Sequence, residues 1–248
     1  MTSLAYDLAG PSDAPVLVLG PSLGTTRAMW NPQHAVLCRQ FRVLRFDLLG
    51  HGGSAVLPGP YTVDQLAGEV LSLLRGIEHF HYVGLSLGGM IGMALAASAP
   101  DRIDRLALLC TSAHLPPADA WLERAEHVRA HGTGSIADTV GPRWFTPAFT
   151  DRAPYLAMLA ATPDEGYAAC CAAIAAMDLR SVLGRITAPT LVIAGHDDPA
   201  TPPAHGRRIA YAIRGARFVE LDDAAHLASV ERPAEVTALL TEHLGGAR

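Results

Sequence analysis

Short, predominantly apolar runs recur along the chain, at 16–19, 43–46, 81–83, 106–110, 191–194 and 218–221. Each is too short for a helix and lacks a regular polar alternation, the pattern of strands buried on both faces of a parallel sheet. Longer stretches between most of them have helical periodicity, for example 63–74 and 87 to about 97. A last helix is expected over 233–244, entered through Glu231-Arg232-Pro233 with proline near its first turn. Strand alternating with helix predicts the α/β class, a doubly wound, mostly parallel central sheet flanked by helices.

The alternation fails between about Ala113 and Gly184. That stretch predicts helices at 119–131, 135–140, 153–161 and 165–177, punctuated by prolines and glycines, and no strand. An all-helical insertion over the carboxyl edge of a parallel sheet would cap the crevice where ligands bind. The expected organisation is therefore a core in two parts, 1–112 and 185–248, with a helical cap at 113–184.

Composition narrows the classes of function. The 248 residues are 50% hydrophobic and 17% charged, enough for a core that needs no metal or disulfide staple. A net charge of −5 without a basic cluster argues against nucleic acid or an anionic membrane as partner. No run approaches the roughly 20 apolar residues of a membrane span. Residues 1–7 lack a basic region followed by an apolar stretch, so a cytoplasmic protein without a signal peptide is expected. Cys38, Cys110, Cys170 and Cys171 lack zinc-ligand spacing and are expected as thiols, the last two packed in an Ala-rich helix. No metal or other cofactor is expected. All 19 basic residues are arginine, which removes Schiff-base chemistry, a Ser-Lys dyad and a Walker A loop.

One segment carries chemistry directly. In His81-Tyr82-Val83-Gly84-Leu85-Ser86-Leu87-Gly88-Gly89, an apolar strand runs into Gly-x-Ser-x-Gly and then a small-residue helix. That order is a nucleophile elbow, a sharp turn that holds a serine hydroxyl exposed above the sheet. A serine nucleophile needs a base, and the base needs an acid to orient it, here expected in the order Ser, Asp, His. His226 follows the final strand on a short loop and is the expected base. The loop after 190–194 carries Asp197 and Asp198, which composition does not separate; Asp222 and Asp223 are too near His226 to orient it easily.

A developing oxyanion needs hydrogen-bond donors. The Leu87 amide at the start of the elbow helix is one, favoured by the helix dipole. The second is expected from the loop Gly20-Pro21-Ser22-Leu23-Gly24, at Leu23 with Ser22 as the alternative. Other histidines have plainer expectations: His51 holds its glycine turn together, His79 and His81 sit on a solvated strand start, and His114, His127 and His131 lie on the cap surface.

These features together resemble the α/β-hydrolase family across the whole chain: the elbow, Asp-x-x-Gly-His-Gly-x-Ser at 47–54, Gly-x-x-Asp at 195–198 and the terminal His226. The resemblance implies Asp198 as the acid and Leu23 as the second oxyanion amide. Within the family the chain resembles 3-oxoadipate enol-lactonases. The segments that match are Ser22-Leu23-Gly24-Thr25, Met29-Trp30, Gly59-Pro60-Tyr61, Arg143-Trp144-Phe145-Thr146-Pro147, 166–170 and Thr201-Pro202-Pro203. Gly20-Pro21 departs from the His-Gly that many hydrolases carry there. The resemblance implies opening of a small carboxylated enol-lactone in aromatic-compound catabolism through an acyl-enzyme on Ser86. A substrate carboxylate calls for a cation, and arginine must supply it. Arg143, beside Trp144, is expected there, with Arg27 and Arg180 next. A carboxylesterase, a C–C bond hydrolase, a cofactor-free perhydrolase and a ligand receptor on the same scaffold stay open, because function depends on the pocket. Oligomeric state is left open.

Overall fold

The computed structural model describes residues 3–245. Its strands are β1 (Tyr6–Ala9), β2 (Val16–Gly20), β3 (Arg42–Phe46), β4 (Phe80–Leu85), β5 (Ile103–Leu109), β6 (Thr190–Gly195) and β7 (Arg217–Leu221). They form one seven-stranded sheet in the order β1-β3-β2-β4-β5-β6-β7. Every neighbouring pair is parallel except β1 with β3. Strands β2 to β7 contain the six expected apolar runs, save that Cys110 lies just past β5 in a left-handed conformation. Both β4 and β6 are buried along their whole length.

Strand β1 was not expected, and its side chains explain why. Tyr6 and Leu8 face outward, 47% and 39% exposed. Asp7 turns inward and takes a two-pronged contact from Arg45, at 3.0 Å to each oxygen. Polar-in and apolar-out inverts the alternation that marks an edge strand.

The helices are α1 (Asn31–Leu37), α2 (Val63–Leu73), α3 (Leu87–Ser98), α4 (Ala118–His131), α5 (Ala137–Trp144), α6 (Ala153–Ala160), α7 (Asp164–Ala176), α8 (Pro203–Ala212), α9 (Ala228–Glu231) and α10 (Pro233–Leu244). On the sheet, α1 packs with α10 and α2 with α3. Thr62 caps α2 by accepting the Gln65 amide at 3.0 Å. Helices α4 to α7 fall between β5 and β6, and α4 packs along α7.

Three local expectations need correction. The segment expected to be helical over 135–140 begins as a 3-10 turn, Thr133–Ile136, and α5 then continues to Trp144 with Pro142 inside it. A proline removes only one amide donor, and α5 has two residues beyond it. His81 is not on a solvated strand start: it is 7% exposed and meets Phe41 edge-on at 5.5 Å between ring centres. On the cap, His127 and His131 are exposed, but His114 is half-buried with Nδ1 3.2 Å from the Met177 carbonyl.

Strand β2 lies between β3 and β4, so the chain leaves it in opposite directions and a crevice opens at its carboxyl end. Gly20 and Gly84 are register partners at that point. The next residues on each side are the Ser22–Gly24 loop and Ser86.

Candidate active site

Ser86 sits at the tip of the turn from β4 into α3, with φ 55° and ψ −117°. A side chain held in that sparsely populated region needs its surroundings to enforce it. Here glycines do so by close packing: a Cβ on Gly84 would run into the Gly88 carbonyl, and one on Gly88 into the Gly20 carbonyl. The Gly88 amide donates to Pro21 O at 3.1 Å and the Ser86 amide to Leu109 O at 2.9 Å. The Thr111 and Tyr82 hydroxyls donate to the Ser86 and Gly88 carbonyls at 2.7 and 2.9 Å. Every polar atom of the turn's backbone named here has a fixed partner, which holds the Ser86 hydroxyl above the sheet.

His226 lies on the loop after β7, with Nδ1 2.8 Å from Asp198 Oδ2. Asp198 is 3% exposed, whereas its neighbour Asp197 faces solvent. Burial alone would raise the Asp198 pKa. The adjacent His226 and its hydrogen bond, with the Thr201 amide and hydroxyl, outweigh burial and hold the carboxyl below its usual range. The contacts are dense: Oδ1 accepts the Ala200 and Thr201 amides at 2.8 and 3.0 Å, and Oδ2 accepts the Thr201 hydroxyl at 2.7 Å. The two loops are also tied by backbone, Asp197 N to Ala224 O at 2.9 Å. Asp222 and Asp223 are exposed. Among the described residues no hydrogen bond joins the Ser86 hydroxyl to the His226 ring, although both line one cavity. Such contacts often tighten only with substrate bound.

In the loop after β2, the Ser22 amide faces Met29 Sδ at 3.2 Å and the Gly24 amide donates to His51 Nε2 at 3.0 Å. The Leu23 amide between them makes no hydrogen bond among the described residues. Leu87 opens α3, where an amide has no intrahelical acceptor. His51 does more than hold its own turn. Its ring is fully buried, and burial lowers its pKa to about 4 against the pull of the Leu49 carbonyl and Asp47. A neutral ring is what lets Nε2 accept the Gly24 amide while Nδ1 donates to Leu49 O at 3.2 Å.

The cavity is about 350 Å³. Its floor includes Ser22, Leu23, Ser86 and His226, and its roof comes from the inserted helices: Trp121, Arg124, Arg143, Trp144 and Tyr167. Arg143, at the end of α5, keeps contact with solvent. Loss of solvent along the cavity wall and the facing Arg124 hold its pKa below the usual range. Neither arginine forms an ion pair among the described residues. The other two arginines considered are engaged elsewhere, Arg27 with Asp7 and Asp47, Arg180 with Asp178. Arg124 was missed from sequence. Its signal was Trp121-x-x-Arg124 on one face of α4, where the guanidinium lies 4.8 Å from the ring centre. Among the described residues, no cluster of three or more His, Cys, Asp or Glu side chains is arranged to hold a metal.

Sheet order, elbow and loops together define a hydrolase scaffold, and the chain belongs to the α/β-hydrolase family, whose model matches residues 15–233. Among particular relatives, it is 38% identical to 3-oxoadipate enol-lactonase 2 of Acinetobacter baylyi, over 93% of this chain and 89% of that one. It is 44% identical to the solved enol-lactonase of Burkholderia xenovorans LB400, with a TM-score of 0.95 over 98% of this chain and 96% of that chain. A thermophilic esterase from Thermogutta terrifontis, solved with malate bound, is 31% identical with a TM-score of 0.90, covering 98% and 93%.

Proposed function

We propose that this chain is an enol-lactone hydrolase that opens 3-oxoadipate enol-lactone to 3-oxoadipate through an acyl-enzyme on Ser86. One observation carries the reading. An elbow serine and His226, backed by the buried Asp198, share a small cavity roofed by two arginines that pair with no carboxylate among the described residues. A hydrolase with that cavity takes a compact substrate bearing both an ester-type carbonyl and a carboxylate.

In the first half-reaction Ser86 Oγ attacks the lactone carbonyl while His226 Nε2 accepts its proton, and Asp198 holds Nδ1–H in place and stabilises the imidazolium. The carbonyl oxygen becomes an oxyanion received by the Leu23 and Leu87 amides. Collapse breaks the ring C–O bond, and the departing enol oxygen takes the proton from His226. Tautomerisation then gives a ketone that remains tethered to the acyl group. Water, deprotonated by His226, attacks the acyl carbonyl and releases the diacid and free Ser86. Helices α4 to α7 act as the cap, and Trp144 forms an apolar wall beside the ring. Arg143 and Arg124 bind the carboxylate and so set which end of the lactone faces Ser86. The small cavity, about 350 Å³, supports this reading over an esterase of long-chain substrates, as does the 38% and 44% identity with the two enol-lactonases.

The test follows the ultraviolet absorbance of freshly generated enol-lactone with wild type and Ser86→Ala. Wild type should clear it rapidly, and the variant should lose all but a residual rate, a fall of about 10⁵ or more. Equal decay with both proteins would sink the mechanism. Good turnover of neutral esters with poor turnover of the lactone would transfer the site to a carboxylesterase.

A further inference from the structure

Glu231 ends α9, five residues after His226, and among the described residues neither oxygen of its half-buried carboxylate meets a cation. One oxygen accepts the Ala225 amide at 2.6 Å. The other accepts both the amide and the hydroxyl of Thr146, each at 2.8 Å. Thr146 lies just past α5, in the segment that leaves the cavity roof. On the far side of His226, the Leu227 amide donates to the Trp144 carbonyl at 3.0 Å. The amides flanking His226 are thus both fastened to residues 144–146 of the roof, one directly and one through Glu231.

The chemistry of the link is specific. All three groups facing the carboxylate are donors, so the position requires an acceptor on both sides, which an ionised carboxylate supplies and an amide does not. With no arginine or histidine paired to it among the described residues, the group does not serve as a surface ion pair. Its contacts join two chain segments 85 residues apart, the loop of the base and the roof over the cavity.

We propose that Glu231 is a positioning residue that couples the seat of the α4–α7 cap to the alignment of the His226 ring with Ser86. The proposal rests on the reading of Ser86, His226 and Asp198 as the catalytic set. Movement of residues 144–146 is transmitted through Glu231 to the Ala225 amide and so to the ring beside it. A cap drawn down by substrate therefore brings His226 towards Ser86, and the neutral substrate feels the link as much as the charged one does.

Four readouts test it on the whole protein, comparing wild type with Glu231→Gln and Thr146→Val. They are the rate of Ser86 labelling by a fluorophosphonate, kcat and KM for p-nitrophenyl acetate, the low-field proton resonance of His226 Nδ1–H, and Tm. Glu231→Gln should lower kcat and the labelling rate about 10- to 100-fold, the scale of a misplaced catalytic group. KM should stay within about twofold, and the low-field resonance should shift or broaden. Thr146→Val keeps the amide donor and loses only the hydroxyl, so it should change the same quantities in the same direction by less. Wild type that is not labelled at Ser86 overturns the catalytic reading and this proposal with it. Labelled wild type with an undiminished rate in Glu231→Gln overturns the proposal alone. So does a rate loss that matches the fraction unfolded while the resonance is unchanged.

Discussion

Burial of the His51 ring connects a single side chain to pH. Its pKa falls from 6.5 to about 4 chiefly because the charged ring is desolvated. Between about pH 6.5 and 4 the unfolded chain binds a proton that the native ring does not, so native stability falls as pH falls through that window and the difference saturates below it. The loss from this group is on the order of 3 kcal/mol. Urea unfolding at pH 7 and pH 4.5 should show it, and His51→Gln, which keeps an acceptor for the Gly24 amide but does not titrate, should lose less over the same interval. Asp198 acts at lower pH: its depressed pKa stabilises the fold above the ordinary carboxylate range and is lost as acid protonates it. The same carboxylate gives a contrast within one dipeptide. Asp198→Asn should cut kcat about 10³- to 10⁴-fold by releasing the His226 tautomer, and Asp197→Asn, on an exposed side chain, should stay within a few-fold. Equal losses at the two positions would refute the assignment. From sequence the two residues are indistinguishable without the family spacing, because burial is a property of the loop and not of the residue type.

At the scale of elements, strands β2 to β7 were legible because a short, mostly apolar run has few other homes, although β7 at the sheet edge is only partly buried. The elbow was legible for a related reason: strand, small-residue turn and apolar helix leave their order in the chain. Strand β1 was not, since its apolar side chains face solvent and its ties, the ladder to β3 and the contacts of Asp7 with Arg45 and Arg27, reach far along the sequence. The roof arginine Arg124 and the link through Glu231 were missed likewise, as each depends on segments that only the fold brings together. The seat of the inserted helices was equally hidden. Gly166 of α7 presses on Gly50, whose φ is +76°, so closely that a Cβ on either residue would strike the other's backbone. The adjoining Tyr61 amide donates to Ala169 O at 3.3 Å. Gly166→Ala must therefore lift α7 from the 47–54 turn. Overpacking of this kind costs about 1–3 kcal/mol, a Tm fall of about 2–12 °C for a chain of this size. Thermal unfolding with and without a bound product analogue measures it, and a Tm equal to wild type would show that the contact relaxes freely.

Across the whole molecule the charge is −5, yet the cavity roof carries two arginines that pair with no carboxylate among the described residues. An acidic protein repels an anionic substrate at long range, so a local positive field inside a low-dielectric cleft is the part of the surface that attracts it. Partial burial first, and the neighbouring Arg124 second, lower the Arg143 pKa, so the two guanidinium groups also oppose one another. A bound carboxylate relieves that repulsion, so each arginine gains value from the other only while the anion is present. The expected result is a double-mutant cycle with a sign. Arg124→Gln and Arg143→Gln should each raise KM for the carboxylated lactone about 10-fold or more, the scale of one charged hydrogen bond, with kcat changed less. The double variant should lose more affinity than either single variant and less than their product, because removing one arginine also frees the other from its repulsion. None of the three should alter KM for a neutral ester by more than about twofold. Ionic strength supplies an independent check: raising salt from low to about 0.5 M should lower kcat/KM for the lactone in wild type, and leave the double variant and the neutral ester nearly flat. If the lactone's kcat/KM in wild type is insensitive to both salt and the loss of the arginines, the roof does not read the carboxylate, and selectivity must come from the shape of the Trp144 wall instead.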